Sequence, residues 1–389
     1  MKELWTLDPQ VTFLNHGSFG ACPRAALEHQ GELRARLERQ PVQFFRDLEG
    51  LLDEARFKLA AFVGTDGDDL AFVPNATSGV NTVIRSLRLE PGDELLTTDH
   101  AYNSCRNALR WHEGNGVRTV AARVPWPLEG PHQVIDAVLA AVTPRTRLLL
   151  IDHVTSPTGV IFPVGELTRL MNERGIDTLI DGAHAPGMLP LDLNRLGAAY
   201  YTGNCHKWLC APKGSAFLHV RRDRQALVQP LAHGHGLNSS RTDRGPFRLQ
   251  MDWLATADPT AYLTVPFVIE YLERLMPWPQ LMQRNHDLAL EGRRILCAAL
   301  GTQPPAPEFM LGSLAAALLP DFRTRGPAQV RGAFWHPLSR TLLEQHGIEV
   351  PVIFFPSAPR QHVRISAQLY NSTGDYHQLA AALRERRTS

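Results

Sequence analysis

Long hydrophobic runs are missing from this chain. No apolar stretch approaches the ~20 residues that a membrane-spanning helix requires, and the opening residues MKELWTLDPQVTFLNHG lack the apolar core of a signal peptide. Cysteine is scarce: Cys22, Cys105, Cys205, Cys210 and Cys297 are the only five in 389 residues, an odd number with no C-x-x-C pair. That argues against a disulfide scaffold and for a reduced, cytoplasmic protein. An excess of either charge is absent too. Forty Lys+Arg against 39 Asp+Glu gives no support for a nucleic-acid or anionic-membrane partner.

Several signature loops are also lacking. There is no G-x-x-x-x-G-K-[ST] and no G-x-G-x-x-G, so P-loop and dinucleotide readings lose their main support. No G-x-S-x-G nucleophile elbow occurs. His233 and His235 have no third ligand at metal spacing, so no metal site is expected.

What is present is alternation. The runs DLAFVP, DELLTTD, VRTVAARV, TRLLLIDHV, DTLIDGAH, AAYYTG and SAFLHV read as buried strands, bounded by Gly, Pro and Asp. Helical patterns lie between several of them. One places Val80, Val83, Ile84 and Leu87 on one face, with Thr77 or Ser78 as its N-cap. Strand–helix alternation predicts an α/β domain with a largely parallel, seven-stranded sheet over residues 21–270. Linking helices are expected over 262–300, the first with Val265, Val268, Ile269, Leu272 and Leu275 on one face. The remainder, 285–389, reads as a smaller α+β domain against which the arm 1–20 packs.

In open α/β sheets, ligands bind beyond the carboxyl ends of the strands. The residues that follow the predicted strands are informative. NATSG, around Ala76 and Thr77, opens a helix whose N-terminus suits a phosphate. DHAYN offers the rings of His100 and Tyr102. DGAH carries Asp181 and His184, and GNCHK carries Lys207. Each alone also fits a plain capping or packing role. Together they supply what pyridoxal 5′-phosphate (PLP) requires: a Schiff-base lysine, a carboxylate for the pyridine nitrogen and a phosphate cradle.

At these residues the chain resembles the class V aminotransferase family of fold type I PLP enzymes, and its isopenicillin N epimerase-like branch in particular. The matching segments are FLNHGSFG, NATSGVNTV, TDHAYNSCRNAL, HVTSPTGVIFPV, IDGAHAPG, YTGNCHKWLCAPKGSAFL, TADPTAYLTVP and VRISAQLYNS, in the family's order across nearly the whole chain. The resemblance implies that Lys207 forms the Schiff base, Asp181 pairs with the pyridinium nitrogen and His184 bonds the ring hydroxyl. It implies that Ala76, Thr77, Asn204 and His206 surround the phosphate. Ser156 lies near the ring, and His100 or Tyr102 stacks on it; epimerisation would also need a second acid on the other face, which His100, Tyr102 or a water could supply. Thr256 is implied to reach the phosphate of a neighbouring subunit, hence a homodimer. Arg364 is implied to clamp a substrate carboxylate. From FLNHGSF, PVQFFR and HGHGLNSSR, Asn15 and His16 are candidate substrate contacts; Arg46 and Arg241 are candidates for a distal acid, with surface salt bridging as the first reading of each. Cysteine desulfurases of this family need a mobile cysteine about fifteen residues before that arginine. None follows Cys297 here, so persulfide chemistry lacks its nucleophile.

The expected substrate is a small amino acid or amino-acid derivative, attacked at Cα with Lys207 as base. An epimerase-like outcome is the first reading. A C–S lyase of the hercynylcysteine sulfoxide lyase type is the second. Transamination and a silent PLP-fold protein stand behind them.

Overall fold

The computed structural model describes residues 1–320 and 336–388. Residues 321–335, within the predicted small domain, lie outside the described residues. An N-terminal strand β1 (Thr12–Phe13) is followed by seven strands: β2 (Leu70–Val73), β3 (Glu94–Thr98), β4 (Arg118–Ala122), β5 (Thr146–Asp152), β6 (Asp177–Asp181), β7 (Tyr200–Asn204) and β8 (Ala216–Val220). They match the seven apolar runs and form one sheet in the order β2-β8-β7-β6-β5-β3-β4. Only β8 runs against the rest; β2 and β7 both pair with it antiparallel. Leu148 to Ile151 of β5 are at most 1% exposed, because helices cover both faces of the sheet.

The helix Ala76–Ser86 turns back from β2 and buries Val80, Val83 and Ile84 completely. Burial of each such side chain stabilises the fold by ~1.5–3 kcal/mol. Its N-cap is Asn75, whose side chain accepts the Ser78 N–H, and not Thr77 or Ser78 as the pattern predicts. Thr77 and Ser78 are already inside the helix. Gly79 lets this helix sit against β7, since a Cβ there would lie 2.3 Å from Thr202 Oγ1.

The apolar faces predicted after residue 262 form the helices Val265–Leu275 and Trp278–Leu300. The chain then enters β9 (Leu314–Leu318), β10 (Ile348–Glu349), β11 (Val352–Phe354) and β12 (Gln361–Ser366), and ends in the helix Thr373–Thr388. The strands β11, β12 and β9 make an antiparallel sheet. The N-terminal arm docks here: β1 pairs in parallel with β10.

Candidate active site

A cavity of about 540 Å³ opens at the carboxyl ends of β5, β6 and β7, where the chain's polar residues converge. Lys207, Asp181, His184, Asn204, His206, Ala76, Thr77, Ser156, Tyr102 and Arg364 all line it. These come from six stretches of chain, five that end or follow strands of the main sheet and one on β12.

Lys207 follows β7 directly and sits half-buried, its Nζ 3.1 Å from His184 Nε2. Burial, with Arg364 nearby, pulls its pKa down to about 8. Asp181 closes β6 and is 4% exposed. Its Oδ1 accepts the Ala183 N–H at 3.0 Å and its Oδ2 the Cys105 S–H at 3.1 Å. Asn204 Oδ1 accepts the Ala76 N–H at 2.8 Å, which binds the end of β7 to the N-terminus of the helix Ala76–Ser86. His206 donates from Nδ1 to the Ser215 carbonyl at 2.9 Å, and burial lowers its pKa to about 4.

Arg364, on β12, is 3% exposed. It donates to the Ser156 carbonyl, and to Ser18 Oγ at 3.1 Å. Among the described residues it has no carboxylate partner. A buried guanidinium with no counter-ion beside a cavity is a site for a ligand anion.

Three of the contacts expected in this cavity, His100, His16 and Asn15, are not brought to it. His100 is fully buried among Phe355, Phe162 and Trp126, with ring centroids 4.4, 5.4 and 5.7 Å away, and its Nδ1 meets Thr158 Oγ1. It does not line the cavity, whereas Tyr102 does. His16 points into the protein, with Nδ1 2.7 Å from Tyr370 Oη and Nε2 3.0 Å from the Lys207 carbonyl oxygen. Asn15 turns towards Glu349 and donates to it at 2.8 Å. Gly17, Ser18 and Phe19 line the cavity in their place. Thr256 is exposed on the loop before the helix Thr260–Leu263 and does not line this chain's own cavity. Arg46 is exposed, and Arg241 is taken up by Glu49 and Asp243 at the surface.

The structure adds residues that the sequence reading passed over. Asp152 closes β5 beside Asp181, its register partner, and lines the cavity with neither oxygen hydrogen-bonded. Burial and the Asp181 charge push its pKa well up. Its signal, an aspartate ending an apolar strand, is the one that marked Asp181. Cys105 supplies one of the donors to Asp181, and Trp208 donates to His184 Nδ1 at 3.3 Å. All five cysteines are buried and none lines the cavity.

The family model for aminotransferase class-V matches residues 25–257. The chain belongs to the class-V aminotransferase family. Its cofactor is PLP, and it is an enzyme. It is similar to isopenicillin N epimerase of Streptomyces clavuligerus, 36% identical over 97% of this chain and 95% of the relative. It is also similar to a probable chloroplastic L-cysteine desulfhydrase of Arabidopsis thaliana, 30% identical over 97% of this chain and 83% of the relative. Among solved structures, C-DES with glycine covalently linked to its PLP cofactor superposes with a TM-score of 0.83, covering 99% of both chains at 20% identity. This class-V cavity fits PLP on its own chemistry: a lysine amine, a carboxylate with two donors, a helix N-terminus and an uncompensated arginine meet in one space. Among the described residues no helix is long and apolar enough to cross a membrane.

Proposed function

We propose that this class-V enzyme acts at the Cα of an amino acid or amino-acid derivative, in the manner of an isopenicillin N epimerase. The observation that supports it most is Arg364, buried, without a carboxylate partner and on the same cavity wall system as Lys207. An α-carboxylate held by that guanidinium would bring Cα towards the lysine amine.

Lys207 would hold the cofactor's aldehyde carbon, Asp181 its ring nitrogen and His184 its ring hydroxyl. Ala76 and Thr77 would receive the phosphate at the helix N-terminus. Asn204 and His206 complete that cradle. The Nδ1–H of His206 is used by Ser215, so contact through Nε2 calls for the imidazolium, which a phosphate dianion favours. Bound there, PLP supplies an electron sink that acidifies the Cα–H. Lys207, with its lowered pKa, is suited to take that proton near neutral pH. Tyr102, exposed to 39% at the cavity wall, is the candidate acid for the other face. Thr256 projects from an exposed loop and would reach the phosphate of a second copy, making the enzyme a homodimer.

The desulfhydrase relative supports a second reading, β-elimination of a sulfur group by the same base. Incubation with candidate amino acids in D₂O separates the two. Cα deuterium with inverted configuration supports epimerisation; pyruvate and a thiol support the lyase. Absence of both, with no PLP absorbance that disappears in Lys207→Ala, would reject the PLP role of Lys207. Sedimentation as a monomer, with Thr256→Ala binding PLP as tightly as the parent, would reject the shared phosphate site.

A further inference from the structure

His184 stands between two nitrogen groups. Trp208 Nε1 is 3.3 Å from its Nδ1, and Lys207 Nζ is 3.1 Å from its Nε2. Both ring residues are buried, Trp208 at 0% and His184 at 2% exposure. An indole N–H can only donate. Nδ1 of His184 must therefore accept, and the single proton of a neutral imidazole lies on Nε2. If Lys207 also donated, the ring would hold no proton at all. Lys207 must accept, which only a free amine can do.

We propose that Trp208 is a positioning residue: by fixing His184 as the Nε2–H tautomer it holds Lys207 as a free amine before the cofactor arrives. An ammonium cannot react with an aldehyde, so this contact sets the enzyme ready to load PLP. The lowered pKa values of Lys207 and His184, both led by burial, agree with it. The other groups that act on Lys207 come from separate elements. Arg364 on β12 favours the free amine, whereas the Asp181 carboxylate favours the ammonium, as Asp152 and Cys105 would once ionised. His16 and His206 are buried neutral rings. The replacement Trp208→Phe keeps all six and removes the indole donor, at the cost of some packing against His16 and Met188.

The inference rests on Lys207 being the PLP lysine, but its test reads the cofactor-free full chain. Trace acetylation with acetic anhydride, followed by mass spectrometry of the Lys207 peptide across pH, gives the amine's midpoint. Trp208→Phe should raise that midpoint by about half to one unit, the loss of one buried neutral hydrogen bond. An unchanged or lowered midpoint overturns the proposal. Should the variant not fold, ¹⁵N shifts of His184 in the unaltered protein decide: a bare Nδ1 with a protonated Nε2 supports it, and a protonated Nδ1 overturns it. Failure to bind PLP would reject the assigned role of Lys207 without touching the tautomer.

Discussion

Two neighbouring strand ends carry the same residue in opposite circumstances. Asp181 ends β6 and receives two donors, whereas Asp152 ends β5 at the paired register and receives none. Backbone position is shared, so it does not distinguish them. The donors do: Ala183 N–H and Cys105 S–H suit Asp181 to be a carboxylate, and the bare, buried Asp152 suits the neutral acid. One of the pair then bears charge, and Arg364 keeps a buried positive charge without a carboxylate partner among the described residues, available to the anionic groups of cofactor and substrate.

The contrast can be broken at several points. Asp181→Ala should weaken PLP binding about 100-fold, the scale of a lost charge-assisted contact, as measured by absorbance titration. Cys105→Ala should weaken it ~3- to 10-fold in the same titration, since one neutral donor to Asp181 is lost. Asp152→Asn should change it by less than about threefold, because a neutral amide replaces a neutral acid; a loss matching that of Asp181→Ala would show that Asp152 is the charged member. The smallest effect lies in stability. The raised pKa of Asp152 means that the folded chain keeps a proton which the unfolded chain releases as pH rises above the ordinary carboxylate range. Stability is lost along that rise. Cofactor-free Asp152→Asn should therefore melt a few degrees above the parent at neutral pH, with the gap closing towards acid.

The seven strands of the main sheet were legible because each is buried on both faces and reads as an apolar run. Lys207 and Asp181 were legible for a related reason: each follows or closes such a run, where this sheet class binds ligands. The donors were not. Cys105 reaches Asp181 across 76 residues of sequence, and nothing in a Cys inside an amphipathic helix announces that contact. His100 and Tyr102 lie two residues apart in one loop, and only the path of the chain into the helix Asn103–Leu109 decides which ring faces the cavity. The arm failed in the same way. Asn15 and His16 belong to a segment that does line the cavity, but β1 pairs with β10 and the short helix at residues 16–19 turns His16 inward and Ser18 towards Arg364. Gly20 permits the close approach, because its φ is +71° and a Cβ would lie 2.0 Å from the His206 carbonyl oxygen.

The loop that carries Lys207 is tied to both ends of the polypeptide. His16 holds the Lys207 carbonyl, Gly17 N–H is bonded to Ser366 Oγ, and Arg364 reaches Ser156 and Ser18. On the ribosome, the lysine emerges more than a hundred residues before these last strands do. A nascent chain thus carries the lysine with no finished cradle around it. Capture of the cofactor in this cradle waits until β12 is made, and a product released before β12 would leave the cavity without the wall that Arg364 and the latched arm provide.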